Sequence, residues 1–243
     1  METNKIFQKD CIEGLKEMPE ESVDCIITDP PYNASKSKIT FEEKGYYAID
    51  EEWDKTFDPK ELIFQCERVL KPTGSMLIFC SHHLLGEYLN IATIKLQQIF
   101  HWIKTNPFPA IAKIYTPNVE YVLWFIKGNP YTFNRKGAQQ NIIYTPILTG
   151  NERTEHPSQK PLKVLRLLVR NHSNEGDIVL DPFMGSGTTA LACKHLNRQY
   201  IGFEISDKYC RIAEDRLKQQ TLNGFALRNE VELPLSVIPS ESR

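Results

Sequence analysis

Short apolar segments alternate along the chain with amphipathic ones, and this pattern predicts strands alternating with helices. Val23 to Thr28 is an apolar, β-branched run that ends at a double-proline turn, which is typical of a buried strand. Ser75 to Cys80 and Ile178 to Leu180 have the same character. The other predicted strands are Lys5 to Gln8, Ile99 to Lys104, Val119 to Lys127 and Tyr200 to Phe203.

Helical periodicity fills much of the sequence between these strands. The predicted helices are Cys11 to Met18, Pro59 to Leu70, Leu84 to Gln98, Pro161 to His172, a helix after the glycine-rich segment that runs to about His195, and Asp207 to Gln220. Lys71 to Gly74 is predicted as a turn, because it contains a proline and a glycine. Alternation of this kind implies an α/β fold, in which a mostly parallel, twisted sheet carries helices on both faces.

The same pattern predicts one catalytic domain over residues 1–220 with two irregular segments. Residues 33–55 are polar and lack periodicity, so we expect a long mobile loop, a type of loop that is often functional. Residues 128–155 are also polar and irregular, and we interpret them as a short insertion. Residues 221–243 are predicted to be a C-terminal tail.

Composition limits the partners, metal sites and cellular compartments that we expect for this chain. The formal net charge of −2 does not indicate a protein that binds polyanions over its whole surface, so a nucleic-acid partner would need a local basic patch. The six cysteines show neither CxxC spacing nor zinc-ligand spacing, which predicts reduced thiols and no metal site. We expect no signal peptide, no membrane span and a cytoplasmic location.

Three carboxylates follow predicted strands: Asp29, Asp181 and Glu204. Ligands of α/β proteins bind at this edge of the sheet. Asp181 precedes Gly185 and Gly187, whose lack of side chains lets backbone approach a ligand at the start of a helix. Glu204 ends the next strand, where a carboxylate can accept hydrogen bonds from a ribose diol. The segment lacks the third glycine of a dinucleotide fingerprint and the lysine of a P-loop. Without the carboxylates, a simple tight turn would explain the two glycines equally well.

Asp29, Pro30, Pro31 and Tyr32 form the second unusual strand end. The prolines have no backbone N–H, so the turn offers rigid carbonyl acceptors beside the Asp29 carboxylate and the flat ring of Tyr32. An exocyclic amino group on a base needs two acceptors and a stacking surface, and it is a poor nucleophile until it is polarised. A fixed carboxylate stabilises the positive charge that develops on that nitrogen. The alternative interpretation is a rigid turn with a surface tyrosine.

Together these segments resemble the β class of DNA amino-methyltransferases. The family carries a DPPY-type motif in its N-terminal part and an FxGxG motif in its C-terminal part, here Asp29 to Tyr32 and Phe183 to Gly187. His156 to Pro161 is similar to the family's HP(T/S)QKP segment. The resemblance extends over about residues 10–217. It implies a Rossmann-like methyltransferase fold with a permuted motif order and S-adenosylmethionine as the cofactor.

The resemblance also implies roles for individual residues. Asp29, Pro30, Pro31 and Tyr32 are the expected catalytic residues, with Tyr32 stacking on a flipped base. The expected cofactor-binding residues are Asp10, Cys11, Asp29, His156, Lys160, Asp181, Pro182, Phe183, Gly185, Ser186, Gly187, Thr188 and Glu204. Lys160 precedes a predicted helix and is expected to meet the carboxylate of the methionine moiety.

We therefore expect a site-specific enzyme that methylates the N6 amino group of adenine in double-stranded DNA, in a restriction-modification or epigenetic setting. Asp29 favours adenine by association within the family, and cytosine N4, RNA and protein stay open as targets. More distant alternatives are a nicotinamide-dependent oxidoreductase and a non-catalytic DNA-binding protein. The resemblance allows a cognate restriction endonuclease as a partner, and a homodimer is left open.

Basic residues in three irregular segments are candidates for contact with DNA. The candidates are Lys36, Lys38, Lys44, Lys113, Arg135 and Lys136. Small members of the family resemble this chain in having a short recognition insertion, so residues 128–155 are the expected target-recognition segment. Each segment could instead be an ordinary solvated loop.

Overall fold

Eight strands and six helices carry the fold in a computed structural model that describes residues 1–31, 57–107, 109, 113, 115–135 and 137–222. The strands are β1 (Lys5–Gln8), β2 (Val23–Thr28), β3 (Leu70–Cys80), β4 (Lys95–Lys104), β5 (Val119–Ile126), β6 (Ile142–Thr145), β7 (Ile178–Asp181) and β8 (Gln199–Glu204). The helices are α1 (Cys11–Lys16), α2 (Pro59–Val69), α3 (Leu85–Ile91), α4 (Leu162–His172), α5 (Thr188–His195) and α6 (Asp207–Leu222). Tyr32, Lys36, Lys38, Lys44, Lys136, the predicted loop 33–55 and the tail from residue 223 lie outside the described residues.

The eight strands form one sheet in the order β1-β8-β7-β2-β3-β5-β4-β6. Within the described residues, β5 is antiparallel to both of its neighbours and the other pairings are parallel. The carboxyl ends of the parallel strands therefore share one side of the sheet, which we call the carboxyl edge. Because β2 pairs directly with β7, the turn after Thr28 and the turn after Asp181 are neighbours at this edge.

Apolar residues fill both faces of the sheet. On one face, Val164 of α4, Ala190 of α5 and Leu217 of α6 belong to one buried cluster. On the other face, Leu15 of α1 and Leu62 of α2 belong to a second. The predicted mostly parallel sheet with helices on both faces is confirmed. None of the helices in the described ranges is long and apolar enough to cross a membrane.

The prediction of one helix over Leu84 to Gln98 was wrong. The helix ends at Ile91, and β4 begins at Lys95 and replaces the rest of the predicted helix. The Glu67 carboxylate accepts hydrogen bonds from the backbone amides of Thr93 at 2.7 Å and Ile94 at 3.3 Å. A contact from a distant helix thus satisfies amides that a continuous helix would have paired internally, so tertiary structure overrides the local pattern.

Two irregular segments belong to the sheet. The predicted turn Lys71 to Gly74 lies inside β3, where the pairing of β3 with β2 shifts register. The segment 128–155 contains β6, the edge strand of the sheet, which pairs in parallel with β4. The indole Nε1 of Trp102 donates to the Thr145 hydroxyl at 2.7 Å and fixes β6 against β4. At least this part of the predicted insertion is integral to the domain.

Candidate active site

The carboxyl ends of β1, β2, β7 and β8 surround a cavity of about 540 Å³. That volume is within the usual range for small-molecule sites. It is lined by nearly all the residues that the sequence predicted for catalysis or cofactor binding: Asp10, Cys11, Asp29, Pro30, Pro31, His156, Lys160, Asp181, Pro182, Phe183, Gly185, Ser186, Thr188 and Glu204. Gly187 lies directly before α5 but does not line the cavity. The structure therefore brings together segments that are far apart along the chain.

The glycine-rich turn needs both of its glycines. Gly185 and Gly187 have φ angles of +51° and +78°, a region that residues with side chains rarely adopt. A β-carbon on Gly185 would lie 2.8 Å from Nε2 of His156. One on Gly187 would lie 2.7 Å from Cβ of Ala213. The turn therefore presents bare backbone to the cavity, which lets a ligand approach closely.

Two carboxylates are fixed by backbone amides at the cavity wall. Asp10 caps α1, accepting from amides of its first turn at 2.9 and 3.1 Å. Glu204 accepts from the amide of Gly185 at 2.9 Å and from the amide of Ser206 at 2.8 Å. Burial raises the pKa of Glu204, and these amides oppose the rise. A carboxylate group can accept more hydrogen bonds than these two, so Asp10 and Glu204 can each still accept from a hydroxyl group of a ligand.

Asp181 orders the glycine-rich turn from within. One of its carboxylate oxygens accepts from the amide of Phe183 at 3.0 Å, and the other accepts from the hydroxyl of Thr189 at 2.6 Å. Burial raises the pKa of Asp181 to about 8, although these hydrogen bonds oppose the rise. The side chain therefore connects the end of β7 to the start of α5. These bonds give Asp181 a structural role, and the ligand contact expected from the sequence stays a prediction.

His156 faces the turn from the opposite wall. Its ring packs edge-on against Tyr209, with the centroids 4.4 Å apart. Burial lowers its pKa to about 4, and the charges of Lys160 and Arg216 add to the effect, so the imidazole is neutral near pH 7. Its buried Nδ1 has no hydrogen-bond partner within the described ranges. A buried polar atom of this kind is available to a ligand.

The Lys160 ammonium lies between two carboxylates. It pairs with Asp29 of the double-proline turn, and it lies 3.4 Å from a carboxylate oxygen of Glu120. The other oxygen of Glu120 pairs with Lys104 at 2.6 Å. Burial alone would lower the pKa of Lys160, but the two carboxylates outweigh it and raise the pKa. The structure pairs Lys160 with these two protein carboxylates, and contact of Lys160 with the cofactor carboxylate stays a prediction.

Several residues of the site were missed from the sequence. Arg216 of α6 donates to the carbonyl of Ser186 and, at 3.1 Å each, to the hydroxyls of Ser186 and Thr188. Phe57 packs edge-on against Phe183, with the centroids 5.5 Å apart. Neither contact has a signal in the local sequence. Glu120 did have one, because it is a carboxylate inside the otherwise apolar run of β5.

The candidate DNA contacts fall on different sides of the sheet. Lys113 is exposed in the connection between β4 and β5, which leaves the sheet at the carboxyl edge. Tyr115 in the same connection is 98% exposed. Arg135 follows Asn134, whose amide group donates to the carbonyl of Ser173 at 2.8 Å. Since Ser173 comes after α4 and before β7, Arg135 lies near the opposite edge from Asp29.

The residues around the cavity fit a nucleoside-containing cofactor. The carboxylates of Asp10 and Glu204 suit ribose hydroxyls, and the rings of Phe57 and Phe183 provide an apolar wall. The bare backbone at Gly185 provides room where a side chain would collide with His156. These features match the chemistry of S-adenosylmethionine.

Comparisons with known proteins agree with this geometry. A family model described as DNA methylase (N6_N4_Mtase) matches residues 23–215. The chain is 34% identical to the type II methyltransferase M.HinfI of Haemophilus influenzae, over 95% of this chain and 71% of the relative. It is 33% identical to the type II methyltransferase M.HpaI of Haemophilus parainfluenzae, over 91% of this chain and 76% of the relative.

The chain also superposes on solved structures. The M1.HpyAVI–SAM complex superposes with a TM-score of 0.70 at 33% identity, covering 88% of this chain and 98% of that chain. The cytosine-N4-specific PvuII DNA methyltransferase also gives a TM-score of 0.70, covering 92% and 94% of the two chains. At 19% identity, this second similarity concerns the fold alone.

Proposed function

The chain belongs to the DNA methylase family, and we propose that it transfers a methyl group from S-adenosylmethionine to the N6 amino group of adenine in DNA. It is an S-adenosylmethionine-dependent DNA methyltransferase of the class that modifies exocyclic amino groups. The choice of adenine N6 goes beyond the family. The observation that carries the proposal is the adjacency of Asp29 to the glycine-rich turn in one cavity.

On the cofactor side, the chain supplies a rigid frame. Glu204 would accept hydrogen bonds from ribose hydroxyls, Asp10 would accept from the nucleoside part of the cofactor near its adenine, and Phe183 would pack against the adenine ring. The turn at Gly185 carries the backbone past the ligand at close range. When bound, S-adenosylmethionine supplies an electrophilic methyl group on a sulfonium. One solved relative, M1.HpyAVI, forms a complex with this cofactor, and the cavity residues here fit it.

On the target side, Asp29 and the carbonyls of the double-proline turn accept the two hydrogens of the target amino group. Fixed acceptors pull the nitrogen toward tetrahedral geometry, so its lone pair becomes available for attack. The carboxylate stabilises the positive charge that grows on that nitrogen. The target base has to leave the double helix to reach this depth. Tyr32, directly after the turn, is proposed to stack on the flipped base.

A methyl-transfer assay tests the catalytic role of Asp29. The purified protein, labelled S-adenosylmethionine and double-stranded DNA are expected to yield labelled DNA. Asp29→Ala is expected to lower kcat at least ~100-fold, the scale of removing one fixed charge-stabilising group. Asp215→Ala, an exposed carboxylate on α6, is the matched control with unchanged activity. Full activity of Asp29→Ala with the same cofactor requirement would refute the mechanism.

Nucleoside analysis of the methylated DNA tests the target atom. The expected product is N6-methyladenine. Finding N4-methylcytosine would overturn the choice of adenine and leave the methyltransferase assignment intact. Sequencing with modification detection on genomic DNA from an expressing host would give the recognition sequence in the same experiment.

We also propose the setting in which the enzyme acts. DNA as the substrate supports a cytoplasmic location, and the type II names of the relatives support an association with a restriction endonuclease. Contact between DNA and the exposed Lys113 is supported by the position of the β4–β5 connection at the same edge of the sheet as Asp29. A homodimer is the remaining partner proposal, and light scattering on the purified protein would measure it.

A further inference from the structure

Four alternating charges cross the carboxyl edge from the catalytic turn to β4. They are Asp29, Lys160, Glu120 and Lys104. The outer member, Lys104, keeps 23% of its side chain exposed, whereas Lys160 keeps 9% and Glu120 15%. The two inner members are thus largely desolvated, and each depends on its neighbours in the network for charge compensation.

Lys160 opposes the chemistry proposed for Asp29. Its ammonium already donates to the Asp29 carboxylate that should receive the target amino group. As positive charge develops on the base nitrogen, two cations would share one carboxylate. Like charges at such distances disfavour each other. The reaction is therefore easier if the ammonium shifts its hydrogen bond from Asp29 to another acceptor.

Glu120 is that acceptor. Its nearer oxygen is 3.4 Å from the Lys160 nitrogen and already accepts a long hydrogen bond from it, so a small shift of the flexible lysine chain shortens and strengthens this bond. Glu120 itself is held in place by Lys104 at 2.6 Å. The Phe79 ring, whose centroid lies 5.4 Å from the Lys160 nitrogen, also favours a cation at this position.

We propose that Glu120 is a positioning residue for methyl transfer, which draws the Lys160 ammonium away from Asp29 when the target amino group binds there. Glu120 does not touch the substrate. It controls how much of the Asp29 charge is available to the reacting nitrogen. This inference rests on the proposed role of Asp29, and it predicts an effect on kcat rather than on cofactor binding.

Steady-state kinetics of Glu120→Gln and Glu120→Asp test the proposal. Gln keeps the shape but loses the charge, whereas Asp keeps the charge but is one methylene shorter. We expect kcat to fall roughly tenfold in Glu120→Gln, which equals about 1.4 kcal/mol of transition-state stabilisation. The KM for S-adenosylmethionine should change less than twofold. Glu120→Asp should retain more of the kcat than Glu120→Gln does.

A structural role would give the opposite order, because Gln preserves the packing better than Asp. Equal kcat in all three proteins, or a lower kcat for Asp than for Gln, overturns the proposal. Thermal unfolding checks that both variants are folded. If Glu120→Gln is not folded, the Asp variant alone decides: a folded Glu120→Asp whose kcat falls more than about tenfold despite its retained charge would contradict the proposal.

Glu67→Gln is the matched control. Glu67 is another buried glutamate, but its carboxylate binds the Thr93 and Ile94 amides away from the cavity. It should lose stability without losing kcat. Asp29→Ala, assayed alongside, separates the two levels of the argument. If Asp29→Ala stays active, the proposed function fails, whereas if only Glu120→Gln stays active, the positioning role alone fails.

Discussion

Replacing Gly185 by alanine tests the cofactor side of the site most directly. The residue has a φ of +51°, and an added β-carbon would lie 2.8 Å from Nε2 and 3.2 Å from Cε1 of His156. His156 cannot retreat freely, because its ring packs on Tyr209. The amide of Gly185 is also the donor that orients Glu204. One methyl group should therefore disturb both the turn and the carboxylate expected to hold the ribose.

The magnitude has two parts. Placing a residue with a side chain in the left-handed region costs roughly 1–2 kcal/mol. The collision with His156 adds about 1–3 kcal/mol, the usual range for forcing an extra methyl into a packed site. Together we expect the free energy of unfolding to fall by about 2–5 kcal/mol. The affinity for S-adenosylmethionine should fall at least about tenfold, which corresponds to one displaced contact of 1.4 kcal/mol.

Two other glycines separate these contributions. Gly150 has a φ of +63° and nothing within 4 Å of an added β-carbon, so Gly150→Ala measures the strain alone. Gly86, in α3, has neither a positive φ nor a neighbour within 4 Å, and Gly86→Ala should be neutral or slightly stabilising. Urea unfolding and calorimetric titration with S-adenosylmethionine measure all three. The reasoning fails if folded Gly185→Ala binds the cofactor as tightly as the wild type.

Two further predictions concern residues that the sequence did not reveal as important. Arg216→Met leaves the Ser186 carbonyl and two hydroxyls without the donor described above, so the free energy of unfolding should fall by about 1–3 kcal/mol and cofactor affinity should weaken. The control Arg211→Met removes an exposed pair with Asp207 and should change the free energy of unfolding by less than about 0.5 kcal/mol. Equal losses in the two variants would argue against the role of Arg216. Burial between Trp124 and Phe133 lowers the pKa of His172 from 6.5 to about 3, so the unfolded chain binds the extra proton between these values and stability is lost as the pH falls through that window. Urea unfolding should show that His172→Phe loses less stability than the wild type between pH 7 and pH 4, by up to about 3 kcal/mol, and identical pH profiles would contradict the assignment.

The sequence predicted those parts of the fold that local patterns control. β1 and β2 begin and end at the predicted residues, because each is a short apolar run bounded by polar residues. The helix predicted across Leu84 to Gln98 failed, since the carboxylate that ends it comes from Glu67 in another helix. The strand β6 was missed because four residues in a polar segment carry little periodicity.

Local sequence patterns likewise predict only part of the candidate site. Asp29, Gly185 and Glu204 could be predicted, because strand ends in a parallel sheet converge and each residue stands at one. Their partners could not. Arg216 reaches the glycine-rich turn from a helix 30 residues further along the chain, and the pairing of Lys160 with Asp29 spans 131 residues. Such contacts depend on how helices pack, which no local pattern encodes.

The order of strands in the sheet has a consequence for how the protein is made. β2 emerges early in synthesis, but its partner β7 lies in the last third of the chain, and β1 pairs with β8 later still. A nascent chain that ends before Ile178 has the catalytic turn without the neighbouring strand that completes the cavity. Contacts between such distant segments also slow folding. The growing polypeptide therefore cannot hold a methyl donor until β7 and β8 have been made and have joined the sheet.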